Sequence, residues 1–476
     1  MSAMLIRNAE IDFSQRVDVR IIAGRIATVG ERLVPQPGEV LLDADSGALL
    51  PGLHDHHIHL VALAAALESL QCGPPQVATA EQLGVVLRDK AAVPIYDNDE
   101  WIRGIGYHES VAGDIDRDWL DRHVPNRPLR IQHRSGRLWI FNSCALERLG
   151  AAGEALEMRA GRPTGRLYDA DAWLREKLGS RFPSLRRVGG LLAAYGVTGV
   201  TDTTPHNDLA QYQHFAAARK NGELPQNLTI MGDTSLDIVN IPNNGSGIIR
   251  GATKFHLHEI TLPDFDAFCT AIRNSHTAQR PVAMHCVTLV ELVFAATALA
   301  ESGAHPGDRI EHAALAPPDT LPLLASLGVT VVTQPNFIHE RGDAYRQDVP
   351  VIDQPWLYRL RGLIDAGIPL AGSTDAPFGD ANPWLAMQAA VDRRTRSGAT
   401  LGAAEALTPE QALALFTGSP AAPGSVQRRI VPGAPADLCL LDRPWAQARR
   451  DLGNVRIVAT LKDGQRIWPL SPALER

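Results

Sequence analysis

Apolar and polar positions along the middle of the chain fall into two alternating patterns. Short, almost wholly apolar runs are followed by longer stretches in which apolar residues return every three or four positions. The first pattern reads as a strand buried on both faces, the second as an amphipathic helix. From about Gly196 the runs are "VTGVTDTTP", "LTIMGD", "ATKFHLHEI", "PVAMHCV", "RIEHAAL", "VTVVTQPNF" and "IPLAGSTDAPF". Helical stretches alternate with them, among them "NDLAQYQHFAAARKNG", "DFDAFCTAIRNSHTA", "LVELVFAATALAESG", "DTLPLLASLG", "PWLYRLRGLIDAG" and "NPWLAMQAAVDRR". An eighth run, "ALLPGLHDHHIHL", comes earlier in the chain. Eight such strands predict an α/β fold, a (β/α)8 TIM barrel.

The two ends carry a different pattern. "AMLIRNAEI", "RVDVRIIAGRIATVG" and "EVLLDADSGALL" at the start are β-rich runs broken by Gly, Asn and Asp, as are "IVPGAPADLCLLD" and "VRIVATLKDGQRIW" at the end. Neither end has enough strands for a good sheet alone. Residues 1–50 and 420–476 are therefore expected to form one small composite β-sandwich domain. The barrel then comprises residues 51–65 and 191–419. Residues 66–190 lose the alternation and read as an α+β insertion after the first barrel strand, forming a wall or lid over the active site. Most of its aromatic residues (Trp101, Tyr107, Trp119, Trp139, Phe141, Tyr168 and Trp173) are expected to build the insertion's own core.

Composition narrows the function classes. Of 476 residues, 45% are hydrophobic and 21% charged, as in an ordinary soluble globular protein. The net charge of −7 and scattered arginines leave no basic patch for nucleic acid. Runs such as "ELVFAATALA" are too short to cross a bilayer, and the N-terminus has no signal-peptide pattern. Cys72, Cys144, Cys269, Cys286 and Cys439 are far apart, with no CxxC pair, which argues against a disulfide framework or a thiolate zinc site. The expectation is a cytoplasmic protein acting on a small molecule, with no nucleic-acid or membrane partner. A homodimer is the default assembly.

The candidate chemistry begins with "LLPGLHDHHIHL". Side chains two apart on a strand share a face, so His57 and His59 project together into the barrel mouth. Neutral imidazoles that close suit a divalent cation. His54 and His56 then face away, and Asp55 sits beside the ligands to orient one of them. An HxH pair alone is a weak signal. Its weight comes from Lys254 on the fourth strand, His285 on the fifth, His312 on the sixth and Asp375 on the eighth. All lie toward the C-terminal strand ends, which ring closure brings together. His256 and His258, two and four residues past Lys254, are expected to share its face and meet substrate higher in the mouth, His258 nearer the rim. Gln334 and Asn336 end the seventh strand as candidate substrate contacts. Arg134 and Arg137 are candidates to clamp a substrate carboxylate.

These motifs resemble the amidohydrolase superfamily in its binuclear-metal form. "PGLHDHHIH" is similar to the family's PGxxDxHxH, with Asp55, His57 and His59 in the matching positions. "ATKFHLH" resembles the strand whose lysine is carbamylated, and "PVAMHCV", "RIEHA" and "AGSTDAP" resemble the two histidine strands and the aspartate strand. "NSCALERLG", "GVTGVTD", "TQPNF", "GSTDAPF", "LTPEQALALFTGSPA" and "GAPADLCLLD" are most similar to the branch of N-substituted formamide deformylase and its relatives. The resemblance spans nearly the whole chain and is weaker in the insertion. It departs at "HRSGRLWIFNS", where Arg137 stands in place of the histidine of the branch's DGH triplet, and at "KFHLHEI", where an Asp-Gly pair is usual. Both departures bear on the substrate, and neither touches the metal ligands.

The resemblance implies two divalent metal ions, zinc first among them, although the same ligands accept manganese or iron. His57 and His59 would bind the more buried ion with Asp375, and His285 and His312 the second. Lys254 would bridge both as a carbamate, since an ammonium cannot ligate a cation. A metal-bridging hydroxide would attack a carbonyl, with Asp375 as general base and then acid. The implied reaction is hydrolysis of a C–N bond in an amide, formamide, urea or cyclic amide. Three alternatives stay open. Lys254 is a plain ammonium paired with Glu259 or Asp375 beside a single metal. Or the chain is a mononuclear deaminase of the same superfamily, for which "HCVTLVE" offers only Glu291 as the acid. Or it is a non-enzymatic scaffold on the same fold.

Overall fold

The computed structural model describes residues 3–74, 76–94, 101–150, 156–179, 182–238 and 247–469. Residues 470–476 of the expected terminal segment lie outside them. The chain divides into two compact units, one of residues 1–60 and 184–476 and one of residues 61–183.

An eight-stranded parallel sheet forms the heart of the larger unit. Its strands are, in order, Leu53–Ile58, Val197–Asp202, Asn227–Gly232, Ile248–His256, Val282–Cys286, Arg309–His312, Thr330–Thr333 and Leu370–Gly372. Each strand pairs in parallel with the next one along the chain, joined to it by a crossover connection. The barrel is nearly closed. Just beyond the eighth strand, Asp375 N donates to His57 O at 2.9 Å, and His59 N donates to Ala376 O at 2.9 Å. These bonds join the first and last strands at the mouth.

The strands are apolar because both faces are covered; Val282, Ala283 and Met284 of the fifth strand are all buried. Helices begin where the sequence supplies caps. Asp208 with Gln211 and Thr288 with Glu291 form capping boxes at the starts of Leu209–Lys220 and Leu289–Ser302. One connection differs from expectation. A helix, Asn336–Asp348, follows the seventh strand directly. Its buried residues Asn336, Phe337, Ile338 and Gly342 crowd into the first turns, so the remainder carries no apolar stripe to read. The helix expected in "PWLYRLRGLIDAG" is reduced to a 3-10 turn, Gln354–Trp356, and a short helix, Arg361–Asp365. Between them Tyr358 has φ 45°, and its N–H donates to Ala314 O, which stops helical continuation.

Two four-stranded sheets and a two-stranded one, Gly418–Ser419 with Ala422–Gln427, complete this unit. One four-stranded sheet has the order Arg25–Gly30, Gln15–Ile22, Met4–Ile11, Val40–Asp43. The other has the order Gln465–Trp468, Ile457–Lys462, Leu438–Leu441, Leu49–Pro51. Ile6, Ile21 and Ile26 of the first sheet share one core with Leu49, Leu438, Leu440 and Leu461 of the second.

The smaller unit holds a six-stranded sheet with helices that include Ala80–Ala92, Arg117–His123 and Ser143–Leu149. Trp139 and Phe141 are buried in one of its cores, Tyr107 in another, and Trp101, Trp119 and Trp173 pack against them. Tyr168 stays exposed. Asn142 of the "NSCALERLG" motif caps Ser143–Leu149 and also bonds Leu129 N, Val124 O and Arg127 O, which is a structural role. All five cysteines are free. No described helix is long and apolar enough to cross a membrane.

Candidate metal centre and active site

The first barrel strand is buried from end to end, so its alternating side chains have no water on either face. His54 turns one way and bonds Thr201 Oγ1 at 2.9 Å. His56 packs against it, 4.5 Å between ring centroids, with both ring nitrogens buried and without a hydrogen-bond partner. Asp55 accepts from His57 N and from the N–H and hydroxyl of Thr374, which ties the first strand to the residue before Asp375. Burial pushes the Asp55 carboxyl up to about 7, against the opposing pull of the Thr374 hydroxyl.

His57 and His59 meet Asp375 at the mouth. Asp375 Oδ1 lies 3.5 Å from His57 Nε2 and 3.3 Å from His59 Nε2. One ligand atom from each of His57, His312 and Asp375 falls within 4.8 Å of the others. The rings continue as a row: His57 to His312 at 4.8 Å, His312 to His285 at 4.5 Å, and His285 to His256 at 4.3 Å. His312 and Asp375 have φ of 67° and 55°. Non-glycine residues rarely adopt this left-handed backbone, and it clusters at functional sites.

The outer nitrogens of these rings are engaged. His57 Nδ1 donates to Glu311 Oε2 at 2.6 Å, and His312 Nδ1 donates to Gln334 Oε1 at 2.7 Å. His59 Nδ1 pairs with Thr204 Oγ1 at 3.0 Å. Both acceptors of the first two bonds are bare oxygens, so the proton of each neutral ring sits on Nδ1 and the Nε2 lone pair is left free. The free Nε2 lone pair of His57 therefore faces a carboxylate whose Oδ1 has no hydrogen-bond partner, and a ligand atom of His312 lies within 4.8 Å of both groups. Like partial charges converging in a buried place repel unless a cation lies among them. This donor set fits a divalent metal.

The electrostatics agree. Burial, and then the Lys254 charge, pushes His57 down to about 3. Burial also lowers His285 and His312, and it lowers His256 to about 4. These imidazoles are neutral at neutral pH, as ligands must be. Burial works against charge on Asp375, yet its carboxyl lies well below the usual carboxylate range, because at low pH the protonated His57 and His312 rings attract its charge and His59 hydrogen-bonds it; at neutral pH it is ionised. Lys254 is buried, its Nζ has no hydrogen-bond partner, and burial pushes it down to about 8. It forms no ion pair with Glu259 or Asp375. A buried amine without a partner is costly, and its neutral form is the one that captures carbon dioxide.

Glu311 escaped the sequence reading. It is buried, receives Arg309 Nε at 2.7 Å and Nη2 at 3.1 Å, and backs His57. Burial alone would raise its carboxyl, but Arg309, Lys254 and His57 together hold it well below the usual range. The available signal was "RIEH", two charged residues with period-two spacing inside a buried strand.

Three expected substrate contacts stand differently in the structure. Gln334 is fully buried, its oxygen on His312 and its Nε2 on Ser373 Oγ at 2.9 Å, so both ends of its amide are already engaged within the barrel. Asn336 is likewise engaged with Thr374 O and Glu340. Arg137 forms an exposed two-bond pair with Asp169, Nε to Oδ1 at 2.7 Å, so its fork is already filled. The fourth strand ends at His256, so strand spacing does not carry to His258, which caps a 3-10 turn; both residues are exposed. His256 is the one stacked on His285. Glu291 accepts from Glu259 N, Val287 N and Thr288 N, which makes it a bracket between two loops.

A cluster of His57, His312 and Asp375 at the C-terminal mouth of a parallel barrel is the kind of site metal-assisted hydrolysis requires, and the chain is a metal-dependent hydrolase. It belongs to the amidohydrolase family, whose model matches residues 40–468. It is 27% identical to the N-substituted formamide deformylase of Arthrobacter pascens, over 94% of each chain. A solved structure of an uncharacterized metal-dependent hydrolase from Pyrococcus horikoshii superposes with a TM-score of 0.77 at 20% identity, covering 98% of this chain and 100% of the other. N-isopropylammelide isopropylaminohydrolase from Burkholderia multivorans superposes with a TM-score of 0.54 at 18% identity, over 98% of each chain.

Proposed function

We propose that this protein hydrolyses a C–N bond of an amide, formamide, urea or cyclic amide, with Asp375 as general base and then acid. The observation that carries the reading is the meeting of His57, His312 and Asp375, one ligand atom of each within 4.8 Å of the others, with His59 Nε2 3.3 Å from Asp375 Oδ1. His57, His59 and Asp375 would hold one divalent ion and His285 and His312 a second, with carbamylated Lys254 bridging them. Zinc suits this N/O set best. When bound, the metal supplies an acidified water and polarises the substrate carbonyl.

The remaining work falls to the chain itself. Glu311 holds the His57 proton on Nδ1, and Gln334 does the same for His312. Asp375, ionised at neutral pH, takes a proton at Oδ1 and returns it to the leaving nitrogen. His256, neutral and stacked on His285, is the nearer candidate to hydrogen-bond substrate. The two four-stranded sheets are read as one composite sandwich that braces the barrel. Free cysteines fit a reducing cytoplasm.

The relative at 27% identity makes N-substituted formamides the first substrates to try. The test is a hydrolysis screen of formamides, N-acyl amino acids, hydantoins, lactams and ureas, with metal measured on the same sample. Turnover with about two ions per chain supports the reading. One ion per chain with a deaminated product would favour the mononuclear deaminase instead, although Glu291 is engaged elsewhere. A chain that holds no metal after gentle purification would be a scaffold.

A further inference from the structure

The turn after Asp375 carries a side chain that the fold does not need. Phe378 is 58% exposed, three residues beyond Asp375, and its ring stands edge-on to His59 at 5.5 Å between centroids. Its backbone is fixed on both sides. Phe378 N donates to Asp375 O at 2.8 Å, and its carbonyl accepts from Arg341 Nη2 at 2.7 Å. Arg341 in turn lies over the Phe337 ring at 4.0 Å. Gly379 locks the next position, since a Cβ there would fall 2.2 Å from Asn336 Nδ2 and 2.5 Å from Thr374 O. Phe337, not Phe378, belongs to the neighbouring core cluster. An aromatic ring thus stands in the open on a fixed backbone beside a proposed ligand histidine, where water meets it at a cost and an apolar group would be welcome.

We propose that Phe378 is a specificity-determining residue, the wall against which an uncharged aryl or bulky alkyl substituent of the substrate packs. The inference rests on the proposed C–N hydrolysis for the site's location and names the substituent that site prefers. Burying the exposed ring surface favours an apolar substituent by about tenfold.

The test compares N-(2-phenylethyl)formamide with N-ethylformamide as substrates, a pair that differs only by a ring insulated from the amide. In parallel, calorimetry on the metal-loaded protein compares phenylacetohydroxamate with acetohydroxamate. Wild type is expected to prefer the phenyl member of each pair by about tenfold. Phe378→Ala should bring both ratios close to one at wild-type metal content, the substrate ratio changing through KM. Phe378→Leu should keep part of the preference and serves if the alanine variant folds poorly. Wild-type ratios near one, or ratios unchanged in both variants, overturn the inference and leave the hydrolase reading standing. Hydroxamate selectivity that depends on Phe378, without hydrolysis of any substrate in the screen, upholds the apolar wall and overturns the reaction.

Discussion

Glu311 and His57, 254 positions apart, share a 2.6 Å hydrogen bond with both side chains buried inside the barrel. The carboxylate fixes the imidazole proton on Nδ1 and raises the basicity of Nε2, which faces Asp375. Arg309 balances the charge of Glu311 through two bonds. Glu311→Gln keeps an acceptor and removes the charge. Metal affinity is expected to fall about ten- to a hundredfold, read as metal left after dialysis against graded chelator. Retention equal to wild type would show that Glu311 does not tune the ligand.

Gln334 separates two roles by kinetics. If its amide positions His312, Gln334→Leu lowers kcat and metal content while KM changes little. A rise in KM with kcat preserved would return it to the substrate side. Its complete burial favours the first outcome.

Asp375→Asn removes the proposed proton acceptor and the proposed carboxylate ligand but keeps the side-chain shape. At saturating metal, kcat is expected to drop about a hundredfold to ten-thousandfold. Residual turnover near wild type would assign the proton transfer to another group.

Lys254 gives a pH dependence with a definite sign. Carbamate formation needs the neutral amine, and burial has lowered this amine from 10.5 to about 8. The initial rate at which metal activates metal-free protein at fixed dissolved carbon dioxide follows the neutral amine, so it should climb about tenfold per pH unit below about pH 8 and flatten above it. An unshifted lysine would keep climbing past about pH 9. Lys254→Ala should show no carbon-dioxide-dependent activation at any pH, and full turnover in that variant would end the carbamate proposal.

Arg137→Ala should leave kcat/KM and the thermal midpoint close to wild type, because the pair it breaks with Asp169 is 73% and 51% exposed. A selective loss of activity on carboxylate-bearing substrates would restore the clamp.

The sequence by itself determined the eight barrel strands and the positions of His57, His59, Lys254, His285, His312 and Asp375 near their ends. Apolar runs report burial on both faces, and spacing by two reports a shared face; both are local properties that a chain carries wherever it folds. The helix Asn336–Asp348 was hidden because its buried residues sit in its first turns and form no stripe. Only the tertiary structure decided which groups stand behind the ligands: Glu311 behind His57, Thr204 behind His59, Gln334 behind His312. It also paired Arg137 with Asp169, ended the fourth strand before His258, and left Phe378 in the open beside His59. Those partnerships join residues remote along the chain and are set by barrel closure and strand register. No local pattern of apolar and polar positions encodes them.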